Sequence, residues 1–317
     1  MRAVEMARMD DNIKVVCSDG VCTVYSVVSP NGEGYMTSYE VFPGVLLQYN
    51  DFHMENIYSG FVPGSDIFCI DHCREGRIEW ERPDGRYIYI EAGDMHLCTR
   101  RCHDANFTFP LRHYHGITAA ISLEEANLPL QHLFDGVDID IHALANKFTG
   151  EEDPFILRAG DSIQHVFSEL YRVPESLRLP YCKVKILELL VFLTGIDPSG
   201  CSVQKPYYHR LQVEKVKRIE RMMTAAPDQH FTLEELSQKY NIPLTSLKIC
   251  FKGVFGDSVY NYMRIWRMNA AAVQLRQTNS PVISIANGLG YENASKFASA
   301  FKAVIGKTPT AYRKSLV

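Results

Sequence analysis

The sequence predicts an α+β protein with a β-rich N-terminal part, a helical middle and an all-α C-terminal domain. Three observations support this fold class. Short alternating segments separated by glycine turns occupy residues 13–122, helix-length segments follow, and the last third holds a repeated pair of helical segments. Apolar residues recur every two positions in a strand and every three or four in a helix, so the two kinds of pattern are separable.

The N-terminal part has the turn residues of an antiparallel sheet. Asp19-Gly20 and Asp84-Gly85 each lie between two apolar segments. An Asp-Gly pair in that position is a strong signal for a β-hairpin. Many short strands joined by such turns predict a small barrel or sandwich over residues 1–125. Aromatic side chains that face into a barrel form pockets for organic ligands. The candidate effector-binding residues are Tyr39, Phe42, Trp80, Tyr87 and Tyr89.

Residues 126–206 have the composition of helices followed by a linker. The segment 181–193 is apolar on nearly every side, and such a helix must be buried on more than one face. One covering surface is expected to be a second subunit, which predicts a homodimer. The predicted dimerisation residues are Leu187, Leu190 and Val191. Residues 195–206 contain two glycines and two prolines, which predicts a linker into the C-terminal domain.

Charge is distributed unevenly along the chain. Residues 211–317 carry 15 Lys and Arg against 7 Asp and Glu, whereas residues 1–210 carry 18 against 30. The overall net charge of −4 hides this difference. A basic module joined to an acidic body is the electrostatic pattern of a DNA-binding domain joined to a regulatory one. We therefore predict a separate nucleic-acid-binding domain over residues 207–317.

The C-terminal domain contains an internal repeat with a spacing of 50 residues, in which Phe251-Lys252 returns as Phe301-Lys302. Each copy follows a short helical segment and a turn. This is the helix-turn-helix pattern, whose second helix enters the major groove of DNA. Between the copies, residues 258–278 contain no Gly or Pro, which predicts a single helix about 30 Å long. Such a helix would hold the two recognition helices about one turn of DNA apart.

These residues resemble the AraC/XylS family of transcription regulators. The resemblance rests on the order of the elements, the Ile285-Ala286 and Gly290-Tyr291 pairs, the two Phe-Lys-x-x-x-Gly segments and the final Thr-Pro-x-x-Tyr-Arg at 308–313, and it covers about a third of the 317 residues. It implies a sequence-specific regulator, and not an enzyme, that binds double-stranded promoter DNA. Further partners that it implies are RNA polymerase and a small-molecule effector held by a cupin-like N-terminal domain, without a cofactor.

The resemblance also places the positions that face the DNA groove. In the first unit these are Thr245, Ser246, Lys248, Ile249 and Lys252, and in the second they are Asn293, Ala294, Ser295, Lys296, Ser299 and Lys302. Many relatives carry an arginine where this sequence has Ile249 and Ser299. Arginine is the commonest bidentate reader of guanine. Its absence predicts that affinity depends largely on contacts between lysines and phosphates.

A metal- or thiol-based redox sensor, or a cupin enzyme, joined to the DNA-binding domain is the alternative interpretation. One dense group combines thiols and imidazoles, which suit zinc or a redox switch: His96, Cys98, Cys102 and His103. His113-x-His115 has the spacing of a cupin metal motif, which needs a carboxylate within a few residues. The next acidic residue is Glu124, so we predict no metal site there.

The sequence has no segment typical of a membrane protein. The most apolar segment, 186–193, is interrupted by Glu188 and is too short to cross a bilayer. The first residues also lack the apolar region of a signal peptide. We therefore expect a cytoplasmic protein without a membrane partner. The nine cysteines are an odd number, which favours reduced thiols over a disulfide framework.

Overall fold

The structure is a computed structural model that describes residues 12–59, 66–81, 84–100, 105–133, 139–149, 155–201 and 207–315. The chain divides into two compact units. The first comprises Met1–Trp80 and Ile88–Lys205, and the second comprises Glu81–Tyr87 and Pro206–Val317. The predicted α+β class is confirmed, since strands dominate the first unit and helices dominate the second.

The first unit is built on a curved antiparallel sheet. Its strands are β1 (Ile13–Ser18), β2 (Cys22–Ser29), β3 (Gly32–Phe42), β4 (Val45–His53), β5 (Asn56–Ser59), β6 (Ile67–Glu81), β7 (Arg86–Glu91), β8 (Met95–Arg100), β9 (Ala105–Thr108), β10 (Tyr114–Ser122) and β11 (Phe155–Leu157). The main order is β1-β2-β3-β4-β10-β6-β7, while β8 and β9 also pair with the long strand β6. The sheet therefore curls into a half-barrel.

The predicted hairpin turns are present where the sequence places Asp-Gly pairs. The Asp19 carboxylate accepts hydrogen bonds from the backbone N–H groups of Val21 and Cys22, and Gly20 has a φ of 89°. The Asp84 carboxylate accepts from the N–H of Arg86. Glycine adopts positive φ without a steric penalty, so these turns bring the flanking strands together in register.

Helices cover one face of this sheet. They are α1 (Leu123–Leu133), α2 (Ile141–Phe148), α3 (Asp161–Leu170), α4 (Arg178–Thr194) and α5 (Pro198–Cys201), with a 3₁₀ turn at Glu175–Leu177. Their apolar residues share one core with the sheet, for example Phe167 and Leu190 with Leu47 and Phe68. The helices predicted within residues 126–206 therefore belong to the same unit as the strands. In the described residues, no helix combines the length and the hydrophobicity needed to cross a bilayer.

The predicted dimer residues do not all reach the surface of α4. Leu190 has no exposed area and lies within the core of its own unit, so its assignment to a subunit contact is wrong. Leu187 packs partly against the same core, whereas Val191 is 48% exposed. The sheet of the same chain supplies the covering surface that the sequence interpretation assigned to a second subunit.

The opposite face of the sheet encloses a second apolar core. Buried side chains from several strands meet there, among them Tyr25, Met36, Phe52, Ile78 and Tyr114. They leave a cavity of about 120 Å³ inside the half-barrel. The strands thus separate a helix-covered outer face from an inner face that holds a cavity.

The second unit has two helix-turn-helix units joined by one long helix, as predicted. Its elements are β12 (Tyr208–His209), α6 (Arg210–Ala225), α7 (Leu233–Lys239), α8 (Leu244–Phe255), α9 (Val259–Gln277), α10 (Val282–Gly288), α11 (Ala294–Ile305) and α12 (Pro309–Lys314). The connecting helix α9 begins after Ser258, whose hydroxyl accepts a hydrogen bond from the N–H of Asn261. At 19 residues, it is about 28 Å long.

The internal repeat corresponds to a repeated local geometry. Phe251 and Phe301 are fully buried, and α8 and α11 each end at a glycine, Gly256 and Gly306, with a φ of 84°. Such a left-handed glycine is a common way to end a helix. The repeated residues therefore hold each recognition helix against its own core and stop it at the same point.

Candidate nucleic-acid interface and ligand cavity

The recognition helix of the first helix-turn-helix, α8, presents one exposed face. Its opposite side is buried through Leu247, Cys250, Phe251, Val254 and Phe255. The predicted residues on the exposed face are Thr245, Lys248, Ile249 and Lys252. They recur every three or four positions, so they lie on one side of the helix. Ser246 is half-buried at the margin of this face.

The recognition helix of the second helix-turn-helix, α11, has the same arrangement. Phe297 and Phe301 are buried, while the predicted residues Ala294, Ser295, Lys296, Ser299 and Lys302 are all exposed. Asn293 is exposed as well, but its side-chain oxygen accepts hydrogen bonds from the N–H groups of Ser295 and Lys296, at 2.9 and 3.0 Å. Asn293 therefore caps the helix, a role that the sequence analysis did not assign to it.

Four lysines give these two faces their positive charge. Lys248 and Lys252 lie on α8, and Lys296 and Lys302 lie on α11. In the part of the chain that the structure describes, no ion pair engages any of the four. Exposed lysines without a carboxylate partner are suited to DNA phosphates, which take the larger share of hydrogen bonds in protein–DNA complexes.

A buried arginine fixes the loop that precedes the first helix-turn-helix. Arg267, on α9, is only 8% exposed. Its Nε donates to the carbonyl oxygen of Pro227 and its Nη2 to that of Gln229, both at 2.9 Å. This side chain therefore supports the position of α7 and α8 and does not belong to the exposed face.

The cavity in the half-barrel is lined mainly by apolar side chains, including Met36, Phe52, Ile78, Trp80 and Phe107. Of the five aromatic residues predicted to bind an effector, Trp80 alone lines it. Tyr39, Phe42, Tyr87 and Tyr89 do not line this cavity. Side chains alternate along each strand, so neighbouring residues point to opposite faces of the sheet. An aromatic residue therefore faces the cavity only at every second position.

The other four aromatic residues have structural contacts elsewhere. Tyr39 and Phe42 pack on the helix-covered face. On β7, Ile90 faces the cavity, whereas the Tyr89 hydroxyl donates to the Glu79 carboxylate at 2.7 Å. Tyr87 belongs to the second unit and lies 5.4 Å from the ammonium of Lys217. Aromatic composition alone did not reveal which sheet face each ring occupies.

Polar residues that the sequence analysis missed form a hydrogen-bonded row at one wall of the cavity. The Thr118 hydroxyl donates to the Asp71 carboxylate at 2.7 Å, and the Asn50 amide donates to the Thr118 hydroxyl at 3.0 Å. The Gln48 side-chain amide donates to Asn50 Oδ1 at 2.6 Å. His96 Nδ1 lies 3.2 Å from the other Asp71 oxygen. The detectable signal was polar residues at alternate positions in otherwise apolar strands.

The predicted cysteine–histidine group is present in part. Asp71, His96 and Cys98 offer ligand atoms within 4.8 Å of one another. Asp71 joins this group because β6 and β8 pair it directly with His96. Cys102 and His103 lie outside the described residues.

Comparisons with known proteins match the C-terminal part of the chain. Residues 236–315 match the family model described as a helix-turn-helix domain. An AraC-like transcription regulator from Streptomyces lividans is 35% identical over 88 residues, which are 28% of this chain and 29% of that protein. The regulatory protein SoxS from Escherichia coli K12 is 32% identical over 89 residues, which are 28% of this chain and 83% of SoxS.

A solved structure also matches the C-terminal part. The C-terminal domain of AraT, a response regulator from Geobacillus stearothermophilus, aligns with 29% identity and a TM-score of 0.31, over 32% of this chain and 84% of that one. This chain matches less than a third of the length of the Streptomyces regulator and most of the length of SoxS.

Proposed function

Because the chain belongs to the AraC/XylS family, we propose that it is a transcription regulator that binds double-stranded promoter DNA through its two helix-turn-helix units. The observation that carries this proposal is the pair of exposed faces on α8 and α11, each with two lysines. A single 19-residue helix joins the two units. RNA polymerase is a further partner, as expected for a regulator that acts at promoters.

The two faces divide the work of binding between charge and shape. The four lysines contact phosphates, which supplies affinity that is independent of sequence and sensitive to salt. Thr245, Ser246, Ser295 and Ser299 are small and polar, and Ile249, which is 57% exposed, is suited to a thymine methyl group. Asn293 contributes through the end of α11, because its side-chain oxygen already caps that helix.

Two single substitutions test this division. Replacing Lys252 with alanine should weaken binding to the operator and to a scrambled duplex alike, and should flatten the slope of log K against log salt by about one unit. Ser295→Ala should instead reduce the preference for the operator, by up to about 1–3 kcal/mol. Fluorescence anisotropy of the full chain at several salt concentrations measures both effects.

The control for this experiment is Lys14→Ala, which removes an exposed lysine from β1 in the first unit. This variant should bind both duplexes as the wild-type chain does. An unchanged salt slope for Lys252→Ala, together with an altered preference between duplexes, would show that the lysine reads bases and would contradict the proposed roles.

The cavity of the half-barrel is proposed as the effector site. Its volume of about 120 Å³ is close to that of a cavity of about 150 Å³ that holds benzene, so the effector is a compact and mainly apolar molecule. Asp71, His96 and Thr118 at one wall provide hydrogen bonds for a polar group on it. Such a combination of apolar lining and a few placed polar groups is typical of ligand sites.

The regulator is proposed to act as a homodimer through the outer face of α4. Tyr181, Val184 and Val191 are 38%, 63% and 48% exposed and are spaced by three and seven residues, which places them on one stripe. This stripe continues to Leu177, which is 52% exposed, at the preceding turn. It replaces the predicted set, in which Val191 alone lies at the surface.

A metal- or thiol-responsive sensor remains the second candidate for the first unit. The observation that favours it is the approach of Asp71, His96 and Cys98 within the cavity wall. If this group senses a metal or an oxidant, His96→Ala should abolish the response of DNA binding to added zinc or to an oxidant. An organic effector would still act on the wild-type chain.

A further inference from the structure

Three neighbouring strands bring a set of histidines and carboxylates together on the outer face of the sheet. The register pairs His115 on β10 directly with Asp51 on β4 and with Glu75 on β6. His53 lies two residues after Asp51 on the same strand. Residues two apart on a strand face the same side of the sheet. Four side chains with metal-binding atoms thus meet at one place, called here the His53–His115 cluster.

The distances within the His53–His115 cluster are short. Asp51 Oδ1 lies 2.9 Å from His53 Nε2 and 2.9 Å from His115 Nε2. His115 Nδ1 lies 3.6 Å from Glu75 Oε2, and the rings of His53 and His115 have centroids 5.3 Å apart. One carboxylate oxygen is therefore close to two imidazole nitrogens at once.

The alignment of His115 differs from that of an ordinary hydrogen bond. Its Nε2 atom is buried and, within the described part of the chain, makes no hydrogen bond, although Asp51 Oδ1 is only 2.9 Å away. The nitrogen and the oxygen are thus close together but do not have the angles of a hydrogen bond. Two ligands of one metal ion have this relation, because each directs its lone pair at the ion and not at the other ligand.

The spacing also fits a small ion. Bonds from zinc to nitrogen and oxygen are about 2.0–2.2 Å, so neighbouring ligand atoms around a tetrahedral ion are about 3.3 Å apart. The three atoms of Asp51, His53 and His115 lie within 4.8 Å of one another. Asp51 and His53 have side chains that are 57% and 61% exposed, so they have room to move by the few tenths of an ångström that an ion needs.

We propose that Asp51, His53 and His115 form a binding site for a divalent transition-metal ion of the zinc class, with Glu75 positioned beside His115. Two imidazoles and a carboxylate favour zinc, nickel or cobalt, since magnesium and calcium prefer sites made of oxygen atoms alone. The site is separate from the cavity, because Asp71, His96 and Cys98 lie on the inner side of the sheet, in and beside the cavity wall.

The sequence concealed this site because its ligands come from three strands. The His113-x-His115 pair lacks a nearby carboxylate in the chain, and the prediction of no metal site rested on that absence. In the fold, Asp51 and Glu75 flank His115 from the two adjacent strands. Of the pair, His115 is a ligand, whereas His113 Nδ1 lies 3.1 Å from the carbonyl oxygen of Leu111.

Zinc titration of the metal-stripped full-length protein tests the proposal. Calorimetry under reducing conditions should show a site in the wild-type chain whose affinity falls at least about tenfold in His53→Ala and in His115→Ala, since even outer-shell changes cost 10–100-fold. Bound zinc should also raise the melting temperature of the wild-type chain more than that of either variant. Magnesium at the same concentration should do neither. Asp51→Asn, which preserves side-chain size, replaces an alanine variant that fails to fold.

Two controls separate this site from other zinc-binding groups. His165→Ala removes an exposed histidine whose Nε2 lies 3.9 Å from the Glu188 carboxylate, and this variant should bind zinc as the wild-type chain does. Cobalt in the site should give a spectrum without a thiolate charge-transfer band, including in the His96→Ala variant. Equal zinc affinity in His53→Ala, His115→Ala and His165→Ala would overturn the proposal and leave the cluster as ion pairs only. DNA binding is measured in a separate experiment, so a loss of DNA binding cannot be mistaken for a loss of zinc binding.

Discussion

At the scale of single residues, His72 shows how burial adjusts the chemistry of the sheet. It is 5% exposed, and its ring stacks on Phe167 at 4.1 Å. Its Nδ1 lies 3.1 Å from the Tyr171 hydroxyl. Burial lowers the pKa of His72 to about 4 from an ordinary 6.5. Burial also raises the pKa of Tyr171, so its hydroxyl stays protonated beside a neutral imidazole.

This lowered pKa predicts a loss of stability in mild acid. Between about pH 6.5 and 4 the unfolded chain binds a proton at His72 that the folded chain does not, so the free energy of unfolding falls as the pH falls through this window. The contribution reaches about 3 kcal/mol at most. Urea unfolding at pH 7.5 and pH 4.5 should show a larger loss for the wild-type chain than for His72→Phe. Equal losses in the two proteins would contradict the assignment.

Residue roles were predictable where a motif fixes them and not where the fold decides. The exposed lysines of α8 and α11 follow from the Phe-Lys repeat, because the buried phenylalanine sets the exposed side of each helix. The positions of Tyr39 and Tyr89 away from the cavity were not predictable, because a rich aromatic composition does not state which sheet face a strand presents. Asp71 was missed because its partner His96 is distant in the chain and adjacent only through strand pairing.

At the scale of elements, the caps and turns of the second unit were readable in the sequence. Thr232 and Glu235, three residues apart, form a reciprocal cap at the start of α7. The long helix α9 begins and ends within one residue of its predicted limits. Local signals suffice here because a helix end is determined by residues close in sequence. The partners of α4 required the whole fold, since the sheet that buries Leu190 comes from residues far away in the chain.

Two substitutions in α4 separate the core from the proposed dimer contact. Val184→Asp places a charge on the exposed stripe and should yield a folded monomer, measured by light scattering after size exclusion. Leu190→Ala should lower the free energy of unfolding by about 2–5 kcal/mol, since it empties a buried position, without weakening the dimer of the folded chain.

The control for this pair is Val273→Asp on α9, which is 46% exposed and outside the stripe. It should leave the mass unchanged. A Val184→Asp chain that keeps the mass of the wild-type chain would exclude this face of α4 as the subunit contact.

At the scale of the whole molecule, the chain joins a half-barrel unit with a cavity to a basic unit with two recognition helices. Charge asymmetry and the 50-residue repeat predicted this division of labour from the sequence. The two units carry different physical properties, one a mainly apolar cavity and the other a lysine-bearing surface. We expect both recognition helices to read DNA together, with α9 setting the distance between them.

Selection of bound duplexes from a random pool by the full-length protein tests this expectation. Two helices held by α9, about 28 Å long, should select a site with two short conserved elements whose centres are about 10–10.5 base pairs apart, on one side of the duplex. Alanine at Ser295 and Ser299 should remove conservation from one element alone. A selected site with a single element, or a pool without any shared sequence, would show that the two recognition helices do not read DNA together.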